Sequence, residues 1–156
     1  MFKKILSFIV NENKQLLLLR NNPVDPIHGG DFWYTVTGGF EDYETDGAEV
    51  AIREIKEETD LDVKETIYLN CIYRYNHNNI DCIEYAYISF IKDGTVILNE
   101  ENVDYRWCDL NDFIGNINWY GDVTVLENVL KDAMNKKLYF DTEQIEQVER
   151  IYSKRK

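Results

Sequence analysis

The pattern of apolar and polar residues along the chain predicts a mixture of strands and helices. Seven apolar or alternating runs rich in β-branched and aromatic residues predict strands at residues 3–10, 14–20, 32–38, 66–75, 82–91, 94–98 and 104–110. Helical periodicity predicts helices at residues 46–59, 123–134 and 142–152. Asp46 and Glu49 have the spacing of a capping box at the start of the first helix. Strands interrupted by a few helices indicate an α/β or α+β domain with a mixed sheet.

The length and composition favour one packed domain over residues 1–156. A chain of this length buries about two thirds of its unfolded surface, and 44% of its residues are hydrophobic. No internal repeat and no linker-like change of composition divides it. We therefore expect a single globular domain.

The charge balance and the cysteines restrict the partners and the compartment. The net charge is −12, with 29 acidic residues against 17 basic ones, which argues against a nucleic-acid partner because such binding needs a surplus of Lys and Arg. The apolar runs are too short to cross a membrane. Three cysteines without C-x-x-C spacing are typical of a reducing compartment, so we expect a cytoplasmic protein with no membrane association.

The stretch REIKEET places three glutamates at positions that crowd together on a helix. On a helical wheel Ala48, Ala51, Ile52, Ile55 and Thr59 form the predicted core face. The wheel places the glutamates Glu54, Glu57 and Glu58 on the far side, in one arc. Like charges at these spacings cost about 0.2–0.5 kcal/mol per pair, and carboxylates near a helix C-terminus oppose the helix dipole. Either this arc is a solvated face, or a hard divalent cation such as Mg²⁺ or Mn²⁺ binds there and turns repulsion into coordination.

The segment GGFEDYETDGAEVAIREIKEETDL, residues 38–61, resembles the signature of the Nudix hydrolases. That signature has a glycine, an upstream glutamate, the core R-E-apolar-x-E-E and a closing glycine. FWYTVTG and DYRWCDL are weakly similar to dihydroneopterin-triphosphate and dATP pyrophosphohydrolases of the family. The resemblance implies a Nudix-type α/β/α sandwich with a mixed β-sheet, and with the motif on a loop–helix–loop.

Two positions depart from the signature. The closing glycine is replaced by Asp60, which affects the helix exit. The upstream glutamate falls on Thr45 when counted without a gap from Gly39, and on Glu44 when the motif starts at Gly38 and the loop carries one extra residue. We favour Glu44, because loops accept single insertions at a low free-energy cost.

The resemblance implies a role for each residue of the motif. Glu57 and Glu58 would bind the essential divalent metal, Mg²⁺ or Mn²⁺, with the backbone carbonyl of Thr37 or Gly38. Glu54 would be a further metal ligand, or the base that deprotonates the attacking water. The remaining implied roles belong to Arg53, which would orient a neighbouring glutamate, and to Glu101 or Glu100, from which a later loop could supply another ligand.

The implied activity is hydrolysis of a phosphoanhydride bond in a nucleoside triphosphate or related organic diphosphate. Arg20 is a candidate for phosphate contact, and Trp33 and Tyr73 are candidates for stacking on a base or pterin, although aromatic residues in strands more often pack in a core. The sequence leaves the oligomeric state open, with a homodimer as one candidate. A non-catalytic Nudix-like sensor of a nucleotide-derived ligand is the alternative, motivated by the departures from the signature.

Overall fold

The computed structural model describes residues 1–25 and 29–135 of the chain. Within these ranges the chain forms seven strands and three helices. The strands are β1 (Phe2–Val10), β2 (Leu16–Asn21), β3 (Trp33–Tyr34), β4 (Val36–Gly39), β5 (Val63–His77), β6 (Ile80–Ile91) and β7 (Asn102–Cys108). The helices are α1 (Gly47–Thr59), α2 (Leu110–Asn116) and α3 (Val123–Met134).

The strands form one mixed sheet in the order β3-β2-β1-β6-β5, with β4 paired to β1 and β7 paired to β2. β1 and β6 run parallel over the whole length of β1, and the other pairs are antiparallel. The sheet brings the end of β4, which leads to α1, close to the loop that enters β7. The candidate site lies between α1 and the loop that enters β7.

The alternation of side chains along β1 explains why helices cover both faces of the sheet. Leu6 and Phe8 belong to a buried cluster with Phe113 of α2 and Leu130 of α3. On the other face, Ile5 belongs to a cluster with Val50 and Ala51 of α1. The predicted mixed α/β sandwich, with the motif on a loop–helix–loop, is therefore confirmed.

Some predicted elements differ from the structure. Residues 94–98 form no strand; Val96 is buried there, and Ile97 donates a backbone hydrogen bond to the Thr59 carbonyl at the end of α1. The sequence analysis missed α2, which is only seven residues long and begins at the N-cap Asp109. The predicted strand at 32–38 is divided into β3 and β4, and the predicted helix at 142–152 lies outside the described residues.

Candidate active site

Helix α1 begins and ends at residues with clear capping roles. The Asp46 carboxylate accepts a hydrogen bond from the backbone N–H of Ala48 at 2.9 Å, as expected for an N-cap. The C-cap Asp60 has φ 62°, a left-handed conformation that favours glycine. The departure of the sequence from the Nudix signature at Asp60 therefore falls where backbone geometry, and not side-chain chemistry, explains the glycine.

The buried face of α1 is rotated from the face that the wheel predicted. Glu54 and Glu58 are only 8% and 5% exposed, whereas Ile52 is 44% exposed. The wheel placed these two glutamates on the side opposite the core and placed Ile52 in the core, and both placements were wrong. The buried residues of the helix are Gly47, Val50, Ala51, Glu54, Ile55, Glu58 and Thr59. On the wheel this set is centred between Glu58 and Ala51, so two carboxylates sit within the buried face.

Three carboxylates meet at this face. Glu54 and Glu58 of α1 and Glu101, which directly precedes β7, each place one carboxylate oxygen within 4.8 Å of the others. The structure thus brings Glu101 to the motif helix. Glu57 lies outside this group of described residues, and its side chain is 51% exposed. Its predicted role as a metal ligand stays a prediction.

Arg53 joins the motif helix to the loop before it. Its guanidinium donates to both Glu44 carboxylate oxygens, from Nη2 at 2.7 Å and from Nε at 3.0 Å. Nη2 also donates to the Gly39 carbonyl at 2.9 Å, and Nη1 donates to Glu54 Oε1 at 3.0 Å and Glu57 Oε1 at 3.2 Å. The bidentate pairing of Arg53 with Glu44 is the strong form of a charge-assisted hydrogen bond. It holds the pKa of Glu44 below its usual value.

The contact between Glu44 and Arg53 bears on the choice of register in the loop. The Glu44 side chain is 5% exposed and faces Arg53, whereas Thr45 is exposed. The geometry agrees with the register that starts at Gly38 and carries one additional loop residue. Counted in this way, the motif has an upstream glutamate that holds its arginine.

Gly38 allows the close approach of the Glu54 side chain to β4. A Cβ atom added at Gly38 would overlap the carboxyl carbon of Glu54. Any larger residue would therefore displace the carboxylate from the group it forms with Glu58 and Glu101. Glycine at this position leaves room for the Glu54 side chain.

Burial raises the pKa values of the two clustered glutamates of α1. Burial raises the pKa of Glu54 to about 7, against the opposing effect of Arg53 and with a further rise from Glu57. Burial, and then the negative charges of Glu101 and Glu54, raise the pKa of Glu58 well above its usual value. Without a cation these groups therefore favour a protonated state near neutral pH.

One buried atom of the group lacks a partner among the described residues. Glu58 Oε1 accepts a hydrogen bond from Asn102 Nδ2 at 3.2 Å, whereas Glu58 Oε2 is buried without a hydrogen bond. A buried acceptor without a partner costs about 1–3 kcal/mol. Carboxylate oxygens are the ligands that Mg²⁺ and Mn²⁺ prefer, so the donor set of Glu54, Glu58 and Glu101 fits such a cation.

A cavity of about 740 Å³ adjoins these carboxylates. Its wall includes Glu54, Glu58 and Glu101, together with Tyr34 and Tyr75 among other residues. A volume of this size is in the range of small-molecule sites. The cavity beside the carboxylates therefore has the volume for a ligand of nucleotide size.

The predicted substrate-binding residues lie elsewhere in the described part of the chain. Arg20 forms a bidentate pair with Asp31 at 2.8 Å, Trp33 packs under the Arg106 guanidinium at 4.9 Å, and Tyr73 packs edge-on against Trp119. None of the three is among the described residues that line the cavity. Their contact with substrate stays a prediction.

The sequence analysis also missed polar residues near the cavity. Lys4 and Tyr75 line it, and both approach the buried carboxylate of Glu84, at 4.0 Å and 3.4 Å. Asn99 and Asn102 contact the clustered glutamates. A lysine at the start of a strand and asparagines in a polar turn give no signal of this kind, because only the folded sheet brings them to the carboxylates.

Comparison with known proteins shows the family of the chain. A family model of the NUDIX domain matches residues 3–127. No curated protein matches the chain in sequence.

In the part of the chain that the structure describes, we find no helix with the length and apolar character to cross a membrane.

The fold is shared with solved structures of low sequence identity. An Ap4A hydrolase of C. elegans, solved as a binary complex, has a TM-score of 0.66 and 20% identity, with 87% of this chain and 97% of that chain covered. The dihydroneopterin triphosphate pyrophosphohydrolase of E. coli has a TM-score of 0.65 and 18% identity, covering 83% and 95%. The NUDIX domain of Shewanella oneidensis NrtR, in complex with ADP ribose, has a TM-score of 0.64 and 14% identity, covering 85% and 87%.

Proposed function

Because this chain belongs to the Nudix family, we propose that it is a Mg²⁺- or Mn²⁺-dependent pyrophosphohydrolase. Its substrate class is a nucleoside triphosphate or a related organic diphosphate. The observation that carries the proposal is the buried group of Glu54, Glu58 and Glu101 beside a cavity of about 740 Å³. A site of carboxylates suits an anionic substrate only if cations lie between the carboxylates and the substrate. Such cations would also allow a protein of net charge −12 to bind an anionic substrate.

The carboxylates would hold the metal, and Gly38 would admit Glu54 beside it. A bound divalent cation lowers the pKa of a coordinated water and neutralises phosphate oxygens. Glu57 and the Gly38 carbonyl belong to the proposed ligand set on the Nudix resemblance alone.

Glu54 is the proposed base that accepts a proton from the attacking water. A carboxylate within hydrogen-bond reach of a water molecule can accept its proton as a general base. Arg53 would fix the orientation of this carboxylate, because Nη1 bonds Glu54 Oε1 while the other guanidinium nitrogens are held by Glu44. Glu44 thus supports the base through Arg53.

The remaining proposals concern the ligand and the compartment. The neighbours' ligands and names suggest nucleotide-type substrates, dinucleoside polyphosphates and dihydroneopterin triphosphate among them. We propose Arg20, Trp33 and Tyr73 as substrate contacts only for a ligand that extends beyond the described cavity. The cysteine pattern supports a cytoplasmic protein, the net charge of −12 argues against a nucleic-acid partner, and a homodimer is one candidate assembly.

The test is a substrate panel with a matched pair of variants. With Mg²⁺ or Mn²⁺ present, the wild-type chain should hydrolyse a phosphoanhydride bond of at least one dNTP, dinucleoside polyphosphate, nucleotide sugar or pteridine triphosphate. A triphosphate would give pyrophosphate and a monophosphate, and a dinucleoside polyphosphate or nucleotide sugar would give two phosphorylated fragments. Glu58→Gln should reduce kcat at least about 100-fold, because it removes a buried carboxylate from the proposed metal site. Glu49→Gln, an exposed glutamate of the same helix, should leave kcat unchanged.

Equal turnover by the Glu58→Gln variant and the wild-type chain would contradict the proposal. Binding of a nucleotide-derived ligand without turnover of any member of the panel would favour the sensor instead.

A further inference from the structure

Two asparagines in the turn that enters β7 contact two of the three clustered carboxylates. Asn99 Nδ2 donates to Glu101 Oε2 at 3.0 Å, and Asn102 Nδ2 donates to Glu58 Oε1 at 3.2 Å. Each contact occupies one oxygen of its carboxylate and leaves the other oxygen outside that bond. The turn therefore constrains the direction in which each carboxylate presents its second oxygen.

Asn99 fixes both the backbone and the side chain of Glu101. Besides its donated bond, its Oδ1 accepts the Glu101 backbone N–H at 3.0 Å. The same turn is tied to the end of β2, since Asn22 donates its backbone N–H to the Glu101 carbonyl and its Nδ2 to the Glu100 carbonyl, both at 3.0 Å. Although Glu101 precedes the strand, both its backbone N–H and its backbone carbonyl form hydrogen bonds.

Asn102 is held by the sheet itself. It is the first residue of β7 and stands opposite Asn21 of β2 in the register. Its amide bonds Glu58 Oε1, and Glu58 Oε2 is the buried atom without a hydrogen bond. A carboxylate fixed in this way on one oxygen can direct the other at a cation with little loss of side-chain entropy on binding.

The neutrality of the amide is the chemical reason for asparagine at these positions. A lysine or arginine bonded to Glu58 or Glu101 would form an ion pair and compete with a divalent cation for the same negative charge. An asparagine amide donates a hydrogen bond and adds no charge. The carboxylates are thereby oriented while their charge stays available.

We propose that Asn99 and Asn102 are positioning residues that orient Glu101 and Glu58 for a divalent cation. This inference rests on the proposed function, because it concerns the same carboxylates. Loss of a hydrogen bond to a metal ligand from outside the coordination shell typically weakens metal affinity 10–100-fold. We expect a weakening of about that size for Asn99→Ala and for Asn102→Ala.

The test measures Mn²⁺ binding to the full chain without substrate, by calorimetry and by the electron paramagnetic resonance of free Mn²⁺. Asn76→Ala is the matched control. Asn76 also donates to a carboxylate, Asp81 at 3.1 Å, and accepts a backbone N–H, from Asn79 at 3.1 Å. These partners lie at the start of β6 and in the turn before it, and neither is one of the three clustered carboxylates. Asn99→Ser and Asn102→Ser repeat the test if an alanine variant folds poorly.

Thermal unfolding of the metal-free variants separates positioning from a purely structural role. We expect the Mn²⁺ Kd to rise about 10–100-fold in the Asn99 and Asn102 variants and to stay unchanged in Asn76→Ala. A lower Tm with an unchanged Mn²⁺ Kd would overturn the inference and leave the proposed function intact. Weaker Mn²⁺ binding by the variants, together with a wild-type chain that turns over no substrate, would support the inference and overturn the function.

Discussion

The raised pKa of Glu54 predicts that the metal-free protein loses stability as the pH rises from 5 to 8. Burial is the main cause of this pKa of about 7, because a charged carboxylate is disfavoured in a medium of low polarity. Glu58 shifts in the same direction, through burial and the charges of Glu101 and Glu54. The perturbation is therefore a change of pH alone, in the presence of a chelator that removes divalent cations.

The size of the effect follows from the difference between the folded and unfolded pKa values. The pKa of Glu54 is 4.5 in the unfolded reference and about 7 in the fold, so the folded state binds the proton more tightly. The stabilisation is fully present below pH 4.5 and is lost as the pH rises towards 7. A difference of about 2.5 pH units at about 1.4 kcal/mol each gives about 3 kcal/mol for Glu54.

The assay is urea unfolding of the wild-type chain and the Glu54→Gln variant at pH 5, 6, 7 and 8 with a chelator. Glutamine has nearly the same shape and no titration, so the groups that do not interact with Glu54 cancel in the comparison, whereas Glu58, whose pKa the Glu54 charge raises, does not. Between pH 5 and 8 the wild-type free energy of unfolding should fall by about 2.5 kcal/mol more than that of the variant, because part of the full difference lies below pH 5. Parallel pH profiles for the two chains would refute the account of Glu54 as a carboxyl group destabilised by burial.

A divalent cation should reverse the loss in the wild-type chain. A ligand that binds only the folded state at 100 times its Kd adds about 2.7 kcal/mol to the free energy of unfolding. Mg²⁺ or Mn²⁺ at that level should therefore restore most of the wild-type stability at pH 8. Glu54→Gln should show a smaller gain, because the variant lacks one of the three carboxylates.

Two substitutions test the glycine at the start of the motif and the missing glycine at its end. Gly38→Ala should reduce turnover about 100-fold, because the added Cβ overlaps the Glu54 carboxyl carbon and a misplacement of about 1 Å can cost that much. Steady-state kinetics would measure the reduction. The control is Gly115→Ala, since no atom lies within 4 Å of a Cβ added there. Asp60→Gly should leave kcat unchanged and raise the free energy of unfolding by up to about 1 kcal/mol, because it relieves a left-handed conformation at φ 62°. A fall in turnover for Asp60→Gly would mean that Asp60 acts in the site and not only at the helix exit.

The sequence predicted local features of the fold well and long-range ones less well. The bounds of α3 agree with the predicted helix at 123–134, because its apolar residues follow one helical face and Asp122 caps its start. The sequence did not predict helix α2, because seven residues give too little periodicity to distinguish a helix from a turn. Residues 94–98 are apolar yet form no strand, since they contact the end of α1 through Ile97.

The site shows the same division between local and long-range information. The motif on one helix selected Arg53, Glu54, Glu57 and Glu58, and the structure brings Glu54 and Glu58 of these together with Glu101. The wheel failed because it assigned the buried face by apolarity and so excluded the glutamates. Glu101 was one of two adjacent candidates, and only the pairing of β7 with β2 brings that turn to α1. Asn99 and Asn102 depend on the same pairing, which no local pattern encodes.

Burial changes the physical meaning of the crowded glutamates. On an exposed helix face their repulsion would cost a few tenths of a kcal/mol, but buried charge costs several kcal/mol. The folded chain bears this cost because Val50, Ala51 and Ile55 of the same helix are fully buried against the sheet. A helix that served stability alone would gain from apolar residues in place of Glu54 and Glu58. The proposed cation site would account for their place in the packed face, where Arg53 orients Glu54 and the neutral amide of Asn102 orients Glu58.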